Sequence, residues 1–337
     1  MSIPTLTPPG TPQPELDPNA SRAHGPSAVG GSVRRFWELT LTLARTEFKL
    51  RYFGSALGYF WSLMRPLLFF GVIYVFFTQI LHVGKGVPHY GVYLLTGIVL
   101  WTFFGEATNT AVASLVAREG LLRKIRFPRL AVPLSVCLTS SFNLAMNFIA
   151  VFVFALVNGV SPEWSWLWLI PIVLGFIVMA TGVGMLLSAL YVRFRDVQPI
   201  WEVLAQVLFY LSPIMYPTSD YHRFEHLAML NPFGLMLTQM GHAFIHPGTV
   251  RAEASAPYFS ARPGTIATHV GGKTVLHQGL IAIKVPAHYI VEVPMRSAYV
   301  DAGGLLHVVI SIAIIPATFA IGYWFFSREA PRVAENL

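Results

Sequence analysis

Six apolar stretches of roughly membrane-crossing length, joined by short polar connections, leave this chain few folds to choose from. A helix of about 20 apolar residues covers the ~30 Å hydrocarbon thickness of a bilayer. A backbone in lipid must also close its hydrogen bonds within its own segment. The stretches run from a re-entry at Gly54–Pro66 to about Leu81, then Gly91–Leu115, Leu130–Val157 and Trp166–Tyr191. A fifth begins near Pro199 and breaks at Leu211–Pro217, and the sixth runs Gly303–Phe326. Charged residues are 12% of the 337, against about 25% in soluble domains. The expected fold is therefore an all-α polytopic membrane protein whose core is the helix bundle itself.

The polar connections orient the bundle. The loop Arg118–Arg129 carries Arg118, Arg123, Lys124, Arg126 and Arg129, and the loop after the fourth span carries Arg193 and Arg195. The short connections on the opposite side hold Lys85 and no other cation. Positive charge in short loops resists translocation, so the basic loops and both termini are expected on the cytoplasmic side of the inner (plasma) membrane. The net charge of +7 is thereby spent on topology, and nucleic acid is not an expected partner.

Residues 1–32, rich in Pro, Gly, Ser and Ala and without periodicity, read as a disordered cytoplasmic tail. Residues 33–52 turn helical. Arg34, Arg35, Glu38, Thr42, Arg45, Thr46 and Lys49 fall within an arc of about 120°, while Phe36, Trp37, Leu39, Leu43 and Leu50 fill the opposite side. That is a helix lying in the membrane interface. Glu47 and Arg51, at i,i+4 in the apolar arc, point to protein contact or to a frayed end whose arginine snorkels.

Spans one to five fill 53–217. Residues 218–246 are apolar but interrupted at Asn231-Pro232, which predicts re-entrant outer helices. Residues 247–302 become polar, with alternating stretches between Gly and Pro that predict a small β-rich extracytoplasmic insertion. Span six, 303–326, leads to a short cytoplasmic tail, 327–337.

Little in the chain suggests chemistry of its own. Gly271-Gly-Lys-Thr274 resembles the end of a phosphate-binding loop, but Ala267 stands where its first glycine belongs. His222/His226 and His242/His246 have metal-compatible spacing, but no Glu sits where a zinc protease needs it: Glu225, between the first pair, is in the wrong place. Cys137 is the sole cysteine and reads as packing. Glu106 is the clearest acid inside a span, and such residues face a cavity or a partner. Phe69, Phe70, Tyr74 and Phe77, then Trp101 and Phe104, could stack on sugar rings along a pore or face lipid. In the basic loop, Leu121, Leu122 and Ile125 share one helical side, Arg123, Lys124 and Arg126 project elsewhere, and Phe127-Pro128 ends the turn. This is either a topology anchor or a cytoplasmic helix with an apolar edge for a partner.

Four blocks carry a resemblance. Arg51-Tyr-Phe-Gly-Ser-Ala-Leu-Gly-Tyr-Phe-Trp-Ser-Leu-Met-Arg-Pro66, Leu122–Arg129, Tyr191–Val197, and Leu211–Pro217 followed by Leu230-Asn-Pro-Phe233 resemble, in order, the signature segments of ABC-2 type permeases that export lipid-linked polysaccharides such as O-antigen, capsule and teichoic acid. The resemblance implies a homodimer with one pore and two copies of a separate ABC ATPase, which supplies ATP and Mg; no cofactor is expected on this chain. It further implies that Glu119, Leu122, Arg123, Lys124, Arg126, Phe127 and Pro128 couple to the ATPase. Arg34, Arg35, Trp37, Arg45, Glu47 and Arg51 would border the lipid entrance, and the aromatics named above with Glu106 would guide the glycan. Pro213, Tyr216, Pro217, Asn231 and Pro232 would form an outer gate. An ABC-2 type drug or lipid exporter, and a membrane-embedded glycosyltransferase, are the alternatives; the latter would want paired carboxylates that the outer loops lack. A passive channel would have no use for a coupling loop.

Overall fold

The computed structural model of the chain describes residues 33–52, 58–82, 89–120, 128–215, 230–245, 249–254, 259–270, 273–284, 289–294 and 305–336. Helix α1 is Val33–Tyr52, the bounds expected from its amphipathic pattern. Phe36, Thr40, Ala44 and Tyr52 are buried along one side, where α1 lies against the helix Ala131–Val157. Part of its apolar arc therefore packs on protein, while Trp37 and Leu50 on the same helix remain exposed.

Among the described residues, five helical stretches are long and apolar enough to cross a membrane: Phe60–Ile80, Tyr90–Ala117, Ala131–Val157, Trp164–Arg193 and Val308–Glu329. They belong to α2 (Gly58–Val75, continued by a wide turn Phe76–Ile80), α3 (Tyr90–Ala117), α4 (Ala131–Val157), α5 (Leu169–Arg193, preceded by a tight turn Trp164–Trp168) and α8 (Leu305–Asn336). The stretch expected as the fifth span is instead a 15-residue helix, α6, Val197–Leu211. At 1.5 Å per residue it reaches about 22 Å, short of the hydrocarbon thickness. Its end has a local cause. Ser212 is extended, and Pro213 has no amide to continue the helical ladder. The last helix, expected to stop near Arg328, continues to Asn336.

Helix α3 is the axis of the bundle. Val92, Leu94, Leu95, Ala107, Ala111, Val112 and Leu115 are fully buried on it, and one half-buried stripe, with Thr102, Glu106 and Asn109, is left facing a cavity. Helices α5 and α8 cross at glycine. A Cβ on Gly182 would lie 2.6 Å from the Phe319 Cα, and a Cβ on Gly322 would strike the Gly182 backbone. Small residues are what let two spans approach to backbone contact in lipid.

The described part of the expected re-entrant segment is α7, Pro232–Met240, followed by a wide turn Gly241–Ile245. Phe233, Leu235, Leu237 and Met240 are buried there. In the segment expected to be β-rich, β1 (Thr249–Ala254) pairs antiparallel with β4 (Tyr289–Pro294), and β2 (Phe259–Val270) with β3 (Lys273–Lys284). The β2–β3 register sets Val270 opposite Lys273, with two residues between, the separation of a tight hairpin. Lys273 thus begins a strand, not the helix a phosphate loop requires. Gly271 and Gly272, the tail 1–32, Lys85 and His222, His226 and His246 lie outside the described residues.

Candidate functional site

Glu106 is where the interface helix meets the spans. It sits on α3 and accepts from the Arg51 guanidinium at the end of α1. It also accepts from Asn143 Nδ2 on α4 at 2.7 Å. Asn143 Oδ1 in turn accepts from the Tyr52 hydroxyl at 2.6 Å. Burial pushes the Tyr52 phenol above its ordinary value, so it stays protonated and keeps donating. Glu47, one helical turn before Arg51, accepts from Arg118 Nη2 at 2.5 Å, and Arg118 Nη1 donates to Ser135 Oγ at 2.9 Å. The arrangement is reciprocal. The acid of α1 takes the base of α3, and the base of α1 takes the acid of α3. Each partner's side chain is 20–30% exposed, so the attraction itself is modest; without its partner each charge would be left in a largely apolar setting.

Beside this network, α1, α2, α3 and α4 enclose a cavity of about 850 Å³. Arg51, Arg65, Phe69, Trp101, Asn109 and Asn147 are among its lining residues. The Asn109 Oδ1 is buried with no hydrogen-bond partner among the described residues. Two guanidinium groups face one carboxylate here. The arrangement suits a polar ligand that brings negative charge and an apolar surface for the rings.

The structure divides the residues expected along a channel. Phe69, Trp101 and Glu106 line this cavity. Phe104 is 2% exposed and packs at 4.6 Å, ring to ring, on Phe233. Phe70 is buried between Tyr74 and Phe154. Tyr74 stacks on Tyr90, and Phe77 lies at the wide turn ending α2. Of the interface-helix residues, Arg34 pairs with Glu38 on its own helix at 2.8 Å. Arg35, Trp37 and Arg45 are exposed, and Glu47 and Arg51 make the crosslinks above. Of the coupling residues, Glu119 and Pro128 are at the rims of the basic loop; Leu122, Arg123, Lys124, Arg126 and Phe127 lie outside the described residues.

At the outer end, the break after α6 is tied to α3 and α7. The Tyr93 hydroxyl donates to the Pro213 carbonyl at 2.5 Å and the Tyr90 hydroxyl donates to the Met215 carbonyl. Asn231 Nδ2 donates to Ser212 Oγ at 3.0 Å, while Asn231 Oδ1 caps α7 by accepting from the Phe233 amide at 3.1 Å. Pro232 follows at the first helical position, where its missing amide costs nothing. Tyr216 and Pro217 lie outside the described residues.

Sequence reading overlooked Arg65, Tyr52, Asn143 and Asn147. The signal was present for two of them: Asn143 and Asn147, at i,i+4 in an apolar run, are polar groups that a span must satisfy somewhere.

Comparison with known proteins agrees with this architecture. A family model described as ABC-2 type transporter matches residues 38–244. An O-antigen export system permease protein RfbA of Klebsiella pneumoniae is 31% identical over 238 residues, 70% of this chain and 90% of its own. The protein of the same name from Myxococcus xanthus is 28% identical over 203 residues, 59% of this chain and 77% of its own. The polysialic acid transport protein KpsM of Escherichia coli is 20% identical over 220 residues, 64% of this chain and 83% of its own. The family match begins in the interface helix, takes in every element that walls the polar cavity and ends at the outer turn after α7, and on that extent the chain belongs to the ABC-2 type transporter family.

Proposed function

We propose that this chain is the membrane subunit of an exporter that moves a lipid-linked cell-envelope polysaccharide from the cytoplasmic to the outer side of the inner membrane. The proteins it is similar to are named for O-antigen export and polysialic acid transport, which supports a glycan over a drug as cargo. The observation that carries the reading in the structure is the polar cavity at the foot of α1. Its wall combines Trp101 and Phe69 with amides and guanidiniums, and a sugar ring needs both an apolar face to stack on and polar partners for its hydroxyls.

In this reading six membrane-crossing segments, with α6 and the outer turns as the fifth, keep both termini in the cytoplasm. Two copies of the chain form one path, and two ABC ATPase subunits hold the ATP and Mg. The basic loop between α3 and α4 receives the ATPase. Glu119 and Pro128 mark its ends, and Leu122, Arg123, Lys124, Arg126 and Phe127 make the contact. Pro213, Tyr216, Pro217, Asn231 and Pro232 close the outer side.

Replacing Arg123, Lys124 and Arg126 with Glu reverses the loop's charge. The expected result is loss of ATPase co-purification and of surface glycan, with the permease still inserted. Full export by that variant would overturn the coupling assignment.

A further inference from the structure

Between α7 and α8 the strands form a ribbon two strands wide. Among the described residues β1 has β4 as its one strand neighbour, and β2 has β3. Every strand therefore has one side bonded and one side whose amides and carbonyls join no ladder. Two strands alone are marginal in water, and three or more are needed for independent stability. The longer pair is also weak at its middle, where Gly264 stands opposite Gly279, since glycine inside a strand loosens it.

The four edges are not alike. Unpaired edges are normally blunted by shortness, charge or proline. β1 and β4 have six residues each, with Arg251, Glu253 and Glu292 along them. β2 carries Arg262-Pro263, and proline, with no amide to give a ladder, belongs on the rim of a sheet. β3 has none of these devices. Its 12 residues extend about 40 Å. From Thr274 to Ile283 it holds no proline and no Asp, Glu, Lys or Arg, and lysine stands only at its ends, Lys273 and Lys284.

One occupant fits such an edge without a second protein. A strand can pair antiparallel with its own copy about a two-fold axis, the same residues meeting on both sides. In the exporter reading two copies stand side by side, and each sends this ribbon from the same outer face. Pairing through β3 gives the strand order β2–β3–β3–β2. The proline-free, uncharged run then lies inside the sheet, and Pro263 stays on both rims.

We propose that β3 is the docking surface for β3 of a second copy, joining the two ribbons into one four-stranded antiparallel sheet. The proposal rests on the two-copy part of the exporter reading and deepens it, because the copies are then bonded to each other beyond the membrane. Two copies inserted in the same direction are related by an axis along the membrane normal. Strands that pair antiparallel about that axis lie across it, so the sheet lies flat over the outer end of the path.

The test uses the full chain with its ATPase in nanodiscs. A cysteine is placed in turn at each residue from Val275 to Ala282, as in Gln278→Cys, and a mild oxidant is added; the native Cys137 is buried. Each step from the axis separates the two copies of a residue by about 7 Å, because both move, and a disulfide closes only below a Cα separation of about 7 Å. Copy-to-copy disulfides should therefore peak at one position or two neighbours and fall roughly tenfold or more within two residues on either side. Ile266→Cys and Ala267→Cys, on the β2 rims about 14 Å or more apart, should give none. Leu276→Lys with Ile281→Lys should abolish the peak by charging the edge. In the same background Thr265→Cys with Gln278→Cys, opposite each other in the register, should still close within one chain and show that the ribbon has formed. No peak along β3, equal crosslinking from β2, an unchanged peak in the lysine variant, or a disulfide from β3 to a different polypeptide would overturn the sheet. Two copies in the complex by native mass spectrometry, with no peak, sinks the sheet and leaves the exporter reading standing; one copy sinks the two-copy reading as well.

Discussion

Glu106 shows what one acid in a span can organise. It is joined to Arg51 on one neighbour and Asn143 on another, so removing its charge should release α1 from two sides at once. Glu106→Gln keeps the shape and is expected to destabilise the permease by about 1–2 kcal/mol, below the 3–5 of a fully buried broken pair because these groups are partly solvated. Arg51→Gln should cost a similar amount, and the double variant less than the sum of the two. Thermal unfolding in detergent measures all three; strict additivity would show that the pair is not coupled. Sequence made Glu47 and Arg51 suspicious because both break an apolar arc. It pointed to protein contact without naming the partners, which are Arg118 for Glu47 and Glu106 for Arg51. Helical spacing is a local rule, and nothing local marks a partner more than fifty residues away.

At the scale of elements, burial decides what was legible. The bounds of α1, α3 and α4 follow from hydropathy because lipid demands long self-satisfied helices. The end of α6 follows too, from the break at Leu211–Pro217; what hydropathy does not show is that the 15 residues before the break fall short of a span. Polar lining escaped for a different reason: the asparagines of α4 are diluted by an apolar run whose mean hydropathy stays at 1.9. Two close crossings can be tested directly. Ala44 is fully buried on α1, and its carbonyl accepts from Thr139 Oγ1 at 3.2 Å. Ala44→Leu should overpack that contact at a cost of about 1–3 kcal/mol, lower the melting temperature and expose α1 to protease. Gly182→Val should wedge α8 from α5 by a comparable amount, seen as lost cysteine crosslinking between residues placed on the two helices. The single native thiol, Cys137, is buried, so it would not interfere with such labelling. An α8 that still crosslinks with a valine at 182 would contradict the backbone contact.

For the whole molecule, the seat of the last helix is set by what lies before it in the chain. A Cβ on Gly175 of α5 would meet the Met236 sulfur of α7 at 3.1 Å and Ile315 of α8 at 3.7 Å. The helix that precedes the long outer segment and the helix that follows it therefore rest on the same support. That support is made by α5, α7 and α8. Cutting residues 247–302 and closing the gap with a flexible Gly/Ser linker should leave a permease that inserts, melts within a few degrees of the parent and binds its ATPase; collapse of the truncated protein would show that the hairpins help to build the bundle. The outer segment is then a cassette on a fixed handle, free to be lengthened, shortened or exchanged while the machinery beneath it stays the same.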